Sequence, residues 1–161
     1  MKDGCEGSAE SKLVAALKER RWTVATAESC TGGLIAARIT AVPGSSVIFL
    51  GGVVSYSNAV KLELLGVTQE VLERVGAVSA ECAEAMAAGV RERMKADVAV
   101  SVTGIAGPDG GTPQKPVGLV FIGVATEAGV HAERYVFRGD RGAVRRKATD
   151  HALALLLAAA V

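Results

Sequence analysis

The stretch WTVATAESCTGGLIAARI, Trp22–Ile39, decides the fold, because it contains a strand, a turn and the start of a helix in succession. Trp22–Ala27 is apolar and partly β-branched, which predicts a strand. Leu34–Ile39 predicts a helix, and Gly32 and Gly33 interrupt the chain between the two. A strand–turn–helix unit of this kind is typical of α/β folds, in which ligands bind beside the carboxyl ends of the strands.

The same alternation continues along the rest of the chain. The further predicted strands are Val47–Tyr56, with Gly51-Gly52 as a bulge or close approach, Val98–Val102, Val117–Thr126 and Val130–Phe137. The predicted helices are Glu10–Arg21, Ala59–Leu65, Gln69–Val75, Ala80–Met94 behind a Ser79 cap, and a last helix capped by Asp140 with Val144, Ala148, Ala152 and Leu155 on its inner face. We therefore expect an α/β domain with a mixed, largely parallel sheet whose last two strands form an antiparallel pair.

Length and composition limit the classes of protein that fit. The 161 residues suit a single domain, which we place at residues 10–161 behind a flexible N-terminus of residues 1–9. With 18 basic and 17 acidic residues, the net charge of +1 gives no electrostatic footprint for nucleic acid. The longest apolar run, Ala152–Val161, falls far short of the roughly 20 residues that span a bilayer. The cysteines are odd in number and widely spaced, and no secretory signal opens the chain, so we expect a reduced, cytoplasmic protein without a membrane partner.

The turn Ser29-Cys30-Thr31-Gly32-Gly33 is the first candidate site. Small residues at the start of a helix let backbone N–H groups approach an anion. Ser29 would alternatively act as a nucleophile, with the same N–H groups stabilising an oxyanion. Cys30 is a rival nucleophile, although no histidine is placed to activate it. A capped helix start, with glycines for tight packing, explains the same pattern without any chemistry.

The second candidate comprises Tyr56, Asn58 and Lys61, just past the end of a predicted strand. A lysine in the first turn of a helix opposes the helix dipole, which is unusual for a purely structural position. A buried lysine has a lowered pKa and can serve as the base for a serine. A solvated helix lysine is the alternative and, among lysines in general, the commoner case.

The third candidate is the loop Thr103–Thr112, which includes Gly104, Ile105, Ala106 and Gly107 and has the length of a binding loop. It fits neither the P-loop nor the Rossmann glycine pattern. A basic cluster containing Arg141 and Arg145 follows near the start of the last helix; it suits a phosphate or carboxylate, or forms a solvated face. Neither His131 nor His151 has a carboxylate partner at a suitable spacing, which leaves a Ser-His-Asp triad and a metal site with weak support.

Six short motifs occur in order along the chain. They are AESCTGG at Ala27–Gly33, PGSS at Pro43–Ser46, YSN at Tyr56–Asn58 with Lys61 three positions on, GAVS at Gly76–Ser79, TGIAGPDGGT at Thr103–Thr112 and KPVG at Lys115–Gly118. Each alone is unspecific, but the ordered set resembles the CinA C-terminal domain family from about residue 10 to the C-terminus. The length leads us to expect the stand-alone form of the family, without the molybdopterin-binding-like domain of longer members.

The resemblance implies a three-layer α/β/α sandwich that is a homo-oligomer and uses no metal or other cofactor. It implies an amidohydrolase whose small-molecule partner is a nucleotide: the carboxamide of nicotinamide mononucleotide is converted to the acid and ammonia, in pyridine-nucleotide salvage. The family's serine–lysine chemistry falls on Ser29 as nucleophile and Lys61 as base. Tyr56 and Thr103 match positions that support this pair.

Two points stay open at the level of sequence. The substrate phosphate needs an anchor, which either Gly104–Gly107 or Arg141 with Arg145 would supply. Two other functions also fit: a non-catalytic nucleotide-binding or regulatory module in competence or DNA-damage responses, which would bind without releasing ammonia, and a cysteine hydrolase, which would depend on Cys30.

Overall fold

In the computed structural model, which describes residues 7–161, five strands form one mixed sheet. They are β1 (Val24–Glu28), β2 (Phe49–Val54), β3 (Val98–Gly104), β4 (Leu119–Thr126) and β5 (Gly129–Val136), in the spatial order β2-β1-β3-β4-β5. Strand β1 is parallel to β2 and β3, whereas β4 runs antiparallel to β3 and β5. Among the described residues only β4 is reversed, which confirms a mixed, largely parallel sheet and a final antiparallel pair.

Helices cover both faces of the sheet and complete the three-layer α/β/α sandwich. One face carries α1 (Ala9–Arg20), α2 (Leu34–Thr40) and α6 (Arg141–Ala160), and the other carries α3 (Asn58–Leu65), α4 (Gln69–Arg74) and α5 (Ala80–Met94). Because successive strand residues point to opposite faces, β3 serves both layers. Its valines pack toward α1 and α6, whereas Ala99 and Ser101 face α5.

Small residues in the sheet let its neighbours approach closely. A Cβ atom on Gly123 of β4 would lie 2.5 Å from the carbonyl oxygen of Ala83 in α5. On Gly52 of β2 it would lie 2.2 Å from the Thr26 hydroxyl in β1, and the β1–β2 register shifts beside this point, at Leu50. The predicted close approach is therefore confirmed at Gly52, and the register irregularity falls just before the glycine pair, at Leu50.

Helix starts agree closely with the predicted caps. The Ser79 hydroxyl accepts a hydrogen bond from the Cys82 N–H at 3.2 Å, and the Asp140 carboxylate accepts one from the Ala143 N–H at 2.8 Å. Leu155 packs against the core as predicted but is only half-buried, and Leu153 and Leu156, which were not named, are fully buried. The end of this helix is apolar on several sides, so spacing alone does not single out its inner face.

The described part of the chain begins at residue 7. The predicted flexible N-terminus, residues 1–9, lies mostly outside the described residues; α1 begins at Ala9 behind a Ser8 cap. Within residues 7–161, none of the helices has the length and apolar character required to cross a membrane.

Candidate active site

The carboxyl ends of β1, β2 and β3 meet at one edge of the sheet, where they border a pocket of about 300 Å³. Parallel strands place their carboxyl ends together, so segments far apart in sequence converge here. Eleven predicted site residues line the pocket: Ser29, Cys30, Tyr56, Asn58, Lys61, Thr103, Gly104, Ile105, Ala106, Gly107 and Arg141. The structure thus brings all three candidate segments of the sequence into a single site.

Lys61 is buried at the floor of this pocket. Its side chain is only 1% exposed, and its Nζ atom lies 3.2 Å from the Ser29 hydroxyl oxygen. Nζ also donates to the backbone carbonyls of Ser55, at 2.7 Å, and Tyr56, at 3.4 Å. The first turn of α3, which begins behind the Ser57 cap, therefore aims the amine back at the serine.

Burial shifts the protonation equilibrium of Lys61 toward the neutral amine. Burial lowers the pKa of Lys61, because leaving water penalises the ammonium form. A neutral amine has two hydrogens and one lone pair, and the two carbonyls can only accept hydrogens. Nζ donates to the Ser29 hydroxyl as an ammonium; when the amine is neutral and both hydrogens are held by Ser55 and Tyr56, its lone pair faces Ser29, whose hydroxyl then donates to it.

Glu28, the last residue of β1, fixes the turn that carries Ser29. Its carboxylate is 1% exposed and accepts hydrogen bonds from the Ile35 N–H at 2.9 Å and the Ala36 N–H at 3.1 Å. Helix α2 begins at Leu34 behind Gly33, which offers no side-chain cap, so Glu28 satisfies these donors instead. The start of α2 is therefore already occupied by an internal anion.

Other N–H groups of the turn remain available. Gly32 donates to the Ser29 carbonyl at 3.0 Å, whereas the N–H groups of Cys30, Thr31 and Gly33 donate to no other residue in the part of the chain described. Free donors close to a serine hydroxyl are what an oxyanion requires. Of these three residues Cys30 lines the pocket, which makes its N–H the best-placed donor.

Cys30 itself is a poor nucleophile. Its side chain is 5% exposed, and burial raises the pKa of the thiol to about 11. At neutral pH only about one thiol in 10⁴ would then be ionised, and the thiolate is the reactive form. Ser29, half-buried and paired with Lys61, is the better placed of the two.

The side chains of Tyr56 and Arg141 lie together at the exposed rim of the pocket. Tyr56 is 60% exposed, and its hydroxyl accepts a hydrogen bond from Arg141 at 2.9 Å. Arg141, the first residue of α6, also donates to the Gly107 carbonyl at 2.9 Å. The guanidinium therefore bridges two pocket segments at the rim.

Four residues that were predicted to bind substrate do not line the pocket: Thr31, Gly32, Gly33 and Arg145. Arg145 donates to the carbonyls of Cys30, at 3.0 Å, and Thr31, at 3.2 Å, so its charge supports the turn from behind. Thr31 is fully buried, and neither Gly32 nor Gly33 lines the pocket. Arg141 and Arg145 lie four positions apart on the same helix, and their surroundings differ. Sequence position alone does not distinguish them.

The sequence prediction missed several contributors. Ala77, Val78, Asp109 and Gly110 also line the pocket; they lie within two of the quoted motifs but were not predicted individually as site residues. Glu28 did leave a signal: a single carboxylate ends an otherwise apolar strand, and no Ser, Thr, Asp or Asn directly precedes the helix at Leu34. Within residues 7–161 no three His, Cys, Asp or Glu side chains converge as metal ligands.

Fold and site together define an α/β protein in which a buried lysine contacts a half-buried serine at the carboxyl edge of the sheet. Residues 6–160 match the model of the CinA C-terminal domain, and the chain belongs to this family. It is 52% identical over 141 residues to a CinA-like protein of Geotalea uraniireducens, covering 87% of this chain and 34% of that one. It is 57% identical over 128 residues to a CinA-like protein of Geobacter metallireducens, covering 80% and 31%. The chain thus spans about a third of the length of these curated relatives.

Solved structures match along nearly the whole chain. The competence/damage inducible protein CihA of Agrobacterium tumefaciens superposes with a TM-score of 0.90 at 40% identity, covering 94% of this chain and 95% of that one. A competence-damaged protein (CinA) superfamily protein of Enterobacter cloacae gives a TM-score of 0.91 at 33% identity, covering 95% and 90%. The predicted family and fold class are therefore confirmed.

Proposed function

We propose that this chain is an amidohydrolase that converts the carboxamide of nicotinamide mononucleotide to the acid, releasing ammonia. The observation that carries the proposal is the 3.2 Å contact between the Lys61 amine and the Ser29 hydroxyl, within a pocket that buries the amine. A neutral lysine beside a serine is a known means of activating that serine without histidine. The substrate itself is suggested by the family resemblance.

The first half of the reaction forms an acyl-enzyme. Ser29 attacks the amide carbon while its proton passes to the lone pair of Lys61. A C–O bond forms, and the carbonyl oxygen becomes an oxyanion, which the N–H of Cys30 would hold. Lys61 then returns the proton to the amide nitrogen, the C–N bond breaks, and ammonia departs.

The second half repeats these roles with water. Water attacks the acyl carbon and gives a proton to Lys61, which passes it back to Ser29 as the C–O bond to the enzyme breaks. The product is the nucleotide acid, and the enzyme returns to its starting state. Splitting amide hydrolysis in this way replaces one difficult step with two easier ones.

The pocket rim favours Arg141 over Arg145 as the phosphate anchor. Arg141 lines the pocket, whereas Arg145 is occupied by two carbonyls behind the turn. A guanidinium offers paired donors to phosphate oxygens. Gly104–Gly107 line the same side, so their backbone can assist.

Ammonia release from nicotinamide mononucleotide tests the proposal directly. We expect release by the purified wild-type chain after treatment with chelator, and a loss of at least about 10³-fold in Ser29→Ala and in Lys61→Met. Cys30→Ala is the matched control and should keep most of the activity, because its thiol is un-ionised.

The other outcomes separate the alternatives. Activity lost in Cys30→Ala but kept in Ser29→Ala would assign the reaction to a cysteine hydrolase. Tight nucleotide binding by well-folded wild type without ammonia release would assign a binding or regulatory role.

A further inference from the structure

Thr103 is the pocket residue whose hydrogen bonding is most restricted. It lies beside Ser29: Glu28 and Val102 are register partners in the parallel β1–β3 pair, and the Ser29 N–H donates to the Val102 carbonyl at 2.9 Å. Neighbouring strands are about 4.8 Å apart, so Ser29 and Thr103 are adjacent at the sheet edge. Ser101, two residues earlier on β3, contacts α5, which places Thr103 on the same face.

The Thr103 hydroxyl has only one hydrogen, and that hydrogen is committed. Thr103 is 1% exposed, and its Oγ1 donates to the backbone carbonyl of Ala77 at 2.8 Å. A carbonyl oxygen can only accept, so the direction of this bond is fixed. Toward any ligand in the pocket, Thr103 therefore presents lone pairs and no donor.

We infer that Thr103 selects a carboxamide over the corresponding carboxylate by accepting a hydrogen bond from the amide nitrogen. This inference rests on the proposed function, since it assigns the orientation of the group that Ser29 attacks. An amide places NH₂, a donor, against the Thr103 lone pairs. A carboxylate places an oxygen there, and two acceptors face each other with no hydrogen between them.

A Thr103 hydroxyl that only accepts hydrogen bonds from the ligand suits each step of the reaction. Departing ammonia still donates to Thr103, and the water that replaces it can donate in the same way. Once water has attacked and the acid has formed, the contact becomes repulsive unless Thr103 releases Ala77. Thr103 thus holds the substrate and the attacking water, and disfavours the product.

Binding to an inactive background measures this selectivity without turnover. The Ser29→Ala protein, alone and combined with Thr103→Val, Thr103→Ala or Thr103→Ser, is titrated with nicotinamide mononucleotide and with nicotinate mononucleotide by calorimetry. The selectivity is the dissociation constant of nicotinate mononucleotide divided by that of nicotinamide mononucleotide. We expect this ratio to fall by roughly 10- to 100-fold in Thr103→Val and Thr103→Ala, as for the loss of one buried hydrogen bond. Thr103→Ser keeps the hydroxyl and should keep the ratio.

The ratio is informative because a general loss of protein stability weakens the binding of both nucleotides alike. Two variants without a hydroxyl are included, so a failure of Thr103→Val to fold leaves Thr103→Ala as the test. If wild type hydrolyses the amide but every variant has the same ratio, the inference is wrong and the proposed function stands. If neither nucleotide binds the Ser29→Ala protein, the proposed function is wrong, and the inference about Thr103, which depends on it, is wrong as well.

Discussion

Lys61 is the residue whose environment departs most from the ordinary one, and pH is the means to test it. If the neutral amine is the base, kcat/KM falls as the pH drops through the lowered pKa of Lys61. The acid limb of the profile should therefore lie below the ordinary lysine pKa of about 10.4. A profile with no acid limb anywhere below about pH 10.4, down to the pH at which the protein unfolds, would show that no such base titrates.

The same burial affects stability, with a definite sign. Between the lowered pKa of folded Lys61 and about pH 10.4, the unfolded chain binds more protons than the folded chain. The free energy of unfolding therefore rises with pH in this window, by at most about 1.4 kcal/mol per pH unit from this one group. Urea denaturation of wild type and Lys61→Met across the window isolates the effect, since the variant lacks it. Parallel curves for the two proteins would contradict a shifted pKa.

At the scale of elements, local signals predicted more than long-range ones. The boundaries of α5 followed from the Ser79 cap and an apolar stripe, and both survive in the fold. The pairing of Ser29 with Lys61 was implied by the family resemblance, and the position of each residue just after a strand agrees with it. Arg145 was not placed correctly, since its hydrogen bonds to Cys30 and Thr31 join residues more than 110 positions apart.

The start of α2 gives a prediction at this scale. Glu28→Gln keeps one acceptor oxygen but turns an amide NH₂ toward one of the two helix N–H donors. Leaving a buried N–H unsatisfied costs about 1–3 kcal/mol, so we expect the free energy of unfolding to fall by that amount, and kcat to fall as the Ser29 turn shifts. Asp150→Asn, the same change in an exposed partner of Arg38, should cost less than about 1 kcal/mol. Equal losses in the two variants, measured by chemical denaturation, would argue against a capping role for Glu28.

At the scale of the whole molecule, the site depends on how closely α5 packs on the sheet. Thr103, at the carboxyl end of β3, contacts Ala77, which lies in the segment before α5. The two residues meet because α5 packs directly on this face of the sheet. No pattern in the sequence fixes that separation; it follows from small residues on both sides, of which Gly123 is the tightest in the sheet against α5. Assembly into a homo-oligomer, implied by the family resemblance, stays a prediction for sedimentation or light scattering.

Gly123→Ala tests whether this packing is as close as it looks. Alanine normally suits a strand better than glycine, by about 0.5–1 kcal/mol. Here its Cβ would lie 2.5 Å from the Ala83 carbonyl and 2.6 Å from the Ser101 hydroxyl, and the backbone carbonyl cannot turn away. We therefore expect overpacking to win and the protein to lose about 1–3 kcal/mol of stability in thermal or urea unfolding. Gly7→Ala is the control, because a Cβ there meets no atom of the described residues within 4 Å. A Gly123→Ala protein as stable as the control would mean that the layers separate readily, and the Thr103–Ala77 contact that depends on them would lose its rigidity.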